Sequence, residues 1–240
     1  MYLIYAVARK EFISFFDSLI GYILLVLFLG FSGFFTWIYG TDVFLNGQAS
    51  LRPFFSIAYW SLFFFIPAIT MRLFAEENKV GTIEILLTKT LSDIQLIIGK
   101  FLAAWALIGV ALIFTFPYCI TIANLGNLDN AEVIFGYMGL MLLSGAYIAI
   151  GLFFSSTTNN QIVAFLSSLS VSLLFQIIFD VLSENNQGIL GNLFYFMGFS
   201  AHFNSITRGV LDIGDVFFFF SIIIIFLLAS QYKFIQRKKA

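Results

Sequence analysis

Two adjacent carboxylates, Glu76 and Glu77, form the arrangement in this sequence closest to a catalytic motif. Neighbouring carboxylates can share general acid and base work, and intramembrane proteases use them in a Glu-Glu-x-x-x-Arg pattern. Here Glu76-Glu77-Asn78-Lys79-Val80-Gly81 puts Gly81 where the arginine is needed. Such sites also draw histidines from the membrane, and His202, the only histidine, is expected in an outer loop. A membrane serine protease wants Gly-x-Ser-Gly and a helix-borne histidine; Leu142-Leu143-Ser144-Gly145 lacks the first glycine. Gly-x-x-x-x-Gly-Lys-Ser/Thr is absent, so the chain has no phosphate-binding loop with which to hydrolyse ATP. The single cysteine, Cys119, allows neither an intrachain disulfide nor a Cys-x-x-Cys site. No catalysis is expected.

Polar pathways give a second kind of chemistry. An ion-coupled carrier keeps ionisable residues inside its spans, whereas Arg72 and Asp180 fall at span ends by this reading. Ala164, Ser168 and Ser172 recur at i+4 spacing as a small-residue face, which lets helices approach closely. Packing within one subunit, a dimer contact and a pathway lining all remain open for it.

The elements that must position these residues follow from composition. Of 240 residues, 60% are hydrophobic and 10% charged, against about 45–50% and about 25% in ordinary soluble domains. Water cannot be the solvent for most of this surface. A net charge of −1 offers no basic footprint for nucleic acid.

A span needs about 20 residues, so charges act as fence posts. Uncharged stretches of 24, 19, 28 and 17 residues separate Asp17 from Asp42, Arg52 from Arg72, Lys100 from Asp129, and Asp215 from Lys233. Each holds one helix. The 47 residues between Glu132 and Asp180 hold two, with a turn at Ser155-Ser156-Thr157-Thr158-Asn159-Asn160-Gln161. The expected fold is all-α and polytopic, one domain with six spans at about 19–40, 54–73, 96–123, 133–154, 162–182 and 216–233. Ten of the twelve Lys and Arg residues then share one side, leaving Arg52 and Arg208 on the other. The positive-inside rule makes the richer side cytoplasmic, with both termini on it. Trp37, Tyr39, Tyr59 and Trp60 suit an interfacial belt at the outer side.

Residues 3–18 are too short and polar to span. Lys10, Ser14 and Asp17 share one face while Ile4, Ala8, Phe12 and Phe15 share another, which predicts an amphipathic helix in the headgroup layer. In the segment 75–92, Gly81-Thr82 can open a short helix with an apolar face of Ile83, Leu86 and Leu87. That face suits either docking to a protein or lying on the membrane. Ser92-Asp93-Ile94-Gln95 matches a capping box and announces span 3. The outer segment 183–215 is rich in apolar residues, so short helices dipping into or capping the bundle are expected there. His202 to Val210 reads as a short helix ended by Gly209.

Taken together, these segments resemble the ABC-2-type transporter permeases over the whole chain, and specifically the gliding-motility-associated branch of Bacteroidetes-type bacteria. The carrying residues are Ala8-Arg9-Lys10-Glu11-Phe12, Ile66-Pro67-Ala68-Ile69-Thr70-Met71-Arg72 and Gly81-Thr82-Ile83-Glu84-Ile85-Leu86-Leu87-Thr88-Lys89. Ser18-Leu19-Ile20-Gly21-Tyr22, Asn160 to Phe165 and the run His202-Phe203 through Arg208-Gly209-Val210-Leu211-Asp212 complete the set. Thr90 stands where the family often has proline.

The resemblance implies a division of labour. The interfacial helix (Arg9, Lys10, Glu11, Phe12) and a coupling helix would dock onto a separate cytoplasmic ATPase. The coupling residues are Gly81, Thr82, Ile83, Glu84, Leu86, Leu87 and Lys89, with Glu76 and Glu77 in the approach. ATP and magnesium would be bound by that partner, and this chain would hold no cofactor. A second permease subunit would pair across spans 2 and 5, where Pro67, Ala164, Ser168 and Ser172 are dimer or pathway candidates. His202, Phe203, Arg208 and Gly209 would belong to an outer gate, with an extracytoplasmic auxiliary subunit as a further implied partner. The resemblance thus implies a permease of the bacterial inner membrane, an exporter rather than an importer, linked to gliding motility. Two other classes stand beside it: a non-transporting scaffold for a surface or motility assembly, and a secondary transporter.

Overall fold

The computed structural model describes residues 2–38, 49–81, 92–186 and 188–237. Every regular element among them is helical. The chain begins with α1 (Tyr2–Asp17) and turns at Ser18 into α2 (Leu19–Trp37). Next come α3 (Arg52–Val80), α4 (Asp93–Ile113), α5 (Phe116–Leu125) and α6 (Asn130–Thr157). Then α7 (Gln161–Leu173) runs through a π-helical turn, Leu174–Ile178, into α8 (Phe179–Asn185). Two short helices, α9 (Ile189–Met197) and α10 (Phe199–Thr207), precede the last, α11 (Ile213–Arg237). Six helical stretches are long and apolar enough to cross a membrane: α2, α3, α4–α5, α6, α7–α8 and α11. The protein is an all-helical, six-span membrane protein.

Local chemistry explains where these helices start and break. Gln95 accepts the Ser92 backbone N–H at 3.1 Å, which satisfies a donor at the start of α4. Asp129 and Asn160 cap α6 and α7 by accepting from Ala131 and Ile162, each at 2.9 Å. The polar cluster after Ser155 therefore makes the expected turn, although α6 runs on to Thr157. The third span is broken between α4 and α5, where Pro117 enters the first turn of α5 and cannot donate to the preceding helix. Thr115 at the break donates to the Leu112 carbonyl at 2.6 Å.

The core sits on α6, which packs against α3, α4, α7, α10 and α11. Its run of Gly139, Ser144, Gly145, Ala146, Ala149 and Gly151 is buried, and small residues let the neighbouring backbones come close. The α2, α7–α8 and α11 stretches keep most of their apolar surface outward, as lipid-facing helices do. Of the aromatic residues expected in an interfacial belt, Trp60 is exposed, but Tyr59 is not. It turns into the core and stacks on Phe203, ring centroids 4.9 Å apart.

Alternation of direction sorts the helix ends into two groups. One end gathers α1, the last turns of α3 and α6, and the end of α11, where Phe234 meets Phe74 at 5.0 Å. The opposite end gathers the starts of α3, α6 and α11 with α10.

Candidate functional site: the junction at the α1 end

The α3 helix outlasts the membrane. Its 29 residues span about 44 Å at about 1.5 Å per residue, against a hydrocarbon core of about 30 Å. The helix thus continues past residue 73, the expected end of the span, to Val80. Glu76 and Glu77 are not in a loop approaching a coupling segment; they lie in the last turns of α3, because nothing between Arg72 and Val80 breaks the helix. The break comes at Gly81, whose φ of +78° is the left-handed conformation that glycine adopts without steric cost. Thr82, Ile83, Glu84, Leu86, Leu87 and Lys89 lie outside the described residues.

The protruding arm of α3 is held from two sides. On one side Lys100, only 1% exposed, brings its Nζ to 2.8 Å from Glu77 Oε1 and 3.2 Å from Glu11 Oε1. The same ammonium donates to the Leu73 carbonyl at 2.7 Å and stands 5.1 Å from the centre of the Phe74 ring. A buried ammonium needs such company, because an unpaired charge out of water costs several kcal/mol. On the other side the Ser155 hydroxyl donates to the Met71 carbonyl at 2.9 Å and accepts from Phe74 and Ala75 N–H, both at 3.0 Å. Asn78 reaches the same turn, donating to the Thr158 carbonyl at 3.1 Å.

α1 completes the junction. It lies against α4, and Gly99 permits this closeness: a Cβ there would fall 2.6 Å from Val7 Cγ1. Lys10 is exposed, as the amphipathic pattern predicts, and so is Arg9, while Phe12 and Glu11 face partly inward. A cavity of about 200 Å³ opens between α1 and α3, rimmed by Lys10, Glu11, Arg72, Glu76 and Glu77. Arg72 pairs along the helix with Glu76 at 3.5 Å. Among the described residues no three His, Cys, Asp or Glu side chains lie close enough to hold a metal ion.

The remaining predicted residues fall elsewhere. Pro67 is buried inside α3, and Ala164, Ser168 and Ser172 are buried where α7 packs on α3 and α6 of the same chain. The three-residue stripe is therefore packing within one subunit, not a surface open to a second copy. At the opposite end His202 lies in α10, the short helix expected there, and is buried, its ring stacked on Phe218 at 3.9 Å. Its Nδ1 lies 2.6 Å from Asp215 Oδ1 and its Nε2 lies 2.9 Å from the Phe196 carbonyl. Since the carbonyl can only accept, Nε2 donates to it. One histidine thus ties α9, α10 and the start of α11 together. Phe203 is buried on Tyr59, Arg208 is exposed, and Gly209 has φ +87° just after α10.

Sequence reasoning missed Lys100, Ser155 and Asn78. A signal for Lys100 existed: it falls on the stripe of Leu96, Ile97, Ala103, Ala104 and Leu107, all buried. A lysine in the apolar register of a helix must find partners.

The junction gathers charged side chains from α1, α3 and α4 at one end of the six spans. No curated protein sequence matches the chain. A family model described as ABC-2 family transporter protein matches residues 5–237, from within α1 to the end of α11. With nearly the whole chain covered, every span and both halves of the junction included, this protein belongs to the ABC-2 family of transporter proteins.

Proposed function

We propose that this protein is the permease subunit of an ATP-driven exporter, driven through the segment that follows Gly81. A separate cytoplasmic ATPase binds ATP and magnesium, docks on α1 and on residues 81–89, and pushes on the arm of α3. One observation carries the reading: the α3 arm leads without a break to Gly81 and is gripped by Lys100 on one side and Ser155 on the other. A push on residues 81–89 therefore reaches α1, α4 and the α6–α7 turn together. Rigid-body repacking of helices between two arrangements is a common switching device.

The groups left without partners support an alternative packing. Among the described residues, Tyr59 Oη, Ser172 Oγ and Gln176 Nε2 are buried and unpaired. Gln176 lies in the π-helical turn, an irregularity often found at functional sites. A second permease subunit fits the outward faces of spans 2 and 5, where Trp60, Phe64, Ile162, Val163 and Leu166 are exposed. The end carrying α1 faces the cytoplasm of a bacterial inner membrane, and α9 and α10 form the outer gate, in a transporter serving gliding motility. The test is to replace Ile83 and Leu86 with Asp and co-purify the ATPase in mild detergent. Loss of the ATPase is the expected result; unchanged co-purification overturns the docking role. A scaffold would keep its cellular function when the partner's ATP hydrolysis is abolished, and the exporter would not.

A further inference from the structure

The two basic residues at the opposite end come from distant parts of the chain, yet they line one cavity. Arg52 opens α3 and Arg208 follows α10; between them lies a space of about 280 Å³. Phe55 and Phe203 give it an apolar wall, and Asn204 and Thr207 add polar groups. Arg52 is oriented by its base: Nε stands 3.6 Å from Glu132 Oε2. Glu132 is itself fixed, its Oε1 accepting from Ser50 Oγ at 2.6 Å and from Leu51 N at 3.1 Å. With Nε engaged there, the two terminal amino groups of the Arg52 guanidinium remain for a second anion. Arg208 has no ion pair among the described residues.

Charge arithmetic favours an anion. Two guanidiniums against one carboxylate leave the rim net positive. Guanidinium forks match the oxygens of phosphate better than any other side chain. Arg52 is the first residue of an apolar span, which puts the rim at headgroup level and the aromatic wall toward the hydrocarbon.

We propose that this cavity binds a phosphate-bearing amphiphile, its phosphodiester between Arg52 and Arg208 and its first apolar carbons on Phe55 and Phe203. Glu132 acts as a positioning residue for Arg52. The site does not depend on the coupling mechanism proposed above.

Native mass spectrometry of the full chain in an uncharged detergent tests it, with phosphatidylglycerol and phosphatidylcholine as probes. The wild type should retain one phosphatidylglycerol more tightly than phosphatidylcholine. Arg208→Gln and Arg52→Gln should each weaken that retention about ten-fold, the loss of one charge-assisted contact. Lys233→Gln, at the other end, should leave it unchanged. Arg208 is exposed and makes no ion pair among the described residues, so its variant should keep the wild-type melting temperature and isolates binding from folding. Equal retention by Arg208→Gln and wild type overturns the site, as does an equal loss in Lys233→Gln. Adding glycerol 1-phosphate separates the sources: displacement of the lipid means that a soluble phosphoester suffices. Continued retention means that the aromatic wall requires a membrane lipid's tail.

Discussion

Glu77 Oε1 lies 2.8 Å from Lys100 Nζ, across the contact of α3 with α4, on a lysine that is 1% exposed. Glu11 Oε1, 3.2 Å from the same nitrogen, brings α1 into the arrangement. Three helices that are remote in sequence thus share one cation. A surface pair would contribute about 0–1 kcal/mol, but breaking a buried one strands the remaining charges.

Lys100→Met should therefore lower stability by about 3–5 kcal/mol, since it leaves two largely buried carboxylates without their shared cation. Thermal melting of the purified protein checks this. Glu77→Gln, which retains an acceptor for the lysine, should cost less than Lys100→Met. The reverse order would mean that Lys100 is solvated and that the junction is not held by its charge.

Ser155→Ala should loosen the arm of α3 locally. Removing the hydroxyl leaves Phe74 and Ala75 N–H without this acceptor, at a cost of about 1–3 kcal/mol. Amide hydrogen exchange should quicken at Phe74 and Ala75 while Leu24 and Phe28 in α2 keep their wild-type rates. Uniform quickening along the chain would point to global destabilisation instead.

Much of this architecture is legible from charge spacing. Charges cannot sit inside lipid-facing helices, so gaps between them count the spans, and Asp129, Asn160 and Ser92 announce helix starts through their side-chain chemistry. The same logic misleads at span ends. Treating Arg72 and Lys100 as span-boundary markers hides the fact that α3 continues to Val80 and that Lys100 is buried. Whether a charge marks a boundary or a buried pair depends on partners about 23 and 89 residues away, Glu77 and Glu11, which periodicity cannot see. The stripe Ala164, Ser168 and Ser172 shows a related limit. Small residues signal a close helix contact, but only the fold tells that α3 and α6 of the same chain supply it.

His202 and Asp215 should behave as one unit. With Nδ1 and Oδ1 at 2.6 Å in a buried site, losing either partner leaves the other unsatisfied. His202→Phe and Asp215→Asn should each destabilise by about 1–3 kcal/mol. The double variant should cost less than the sum of the two, with a coupling of at least about 0.5 kcal/mol. Strict additivity in a melting-based double-mutant cycle would show that the contact does not join α10 to α11.

Gln176 sets a different kind of test, because its amide is only half satisfied. Its Oε1 accepts from the Tyr147 hydroxyl, while its Nε2 is buried without a partner among the described residues. Replacing both members of a buried polar pair with apolar groups of similar shape is near neutral or stabilising. Tyr147→Phe combined with Gln176→Leu should therefore melt at or above the wild-type temperature. If the π-helical turn serves a second packing in which that amide finds a partner, the same double variant should lose transport while gaining stability. Measured together, melting temperature and transport should move in opposite directions. A variant that is more stable and transports as the wild type does would show that Gln176 serves only the packing described here. One that melts lower would show that the amide is already satisfied.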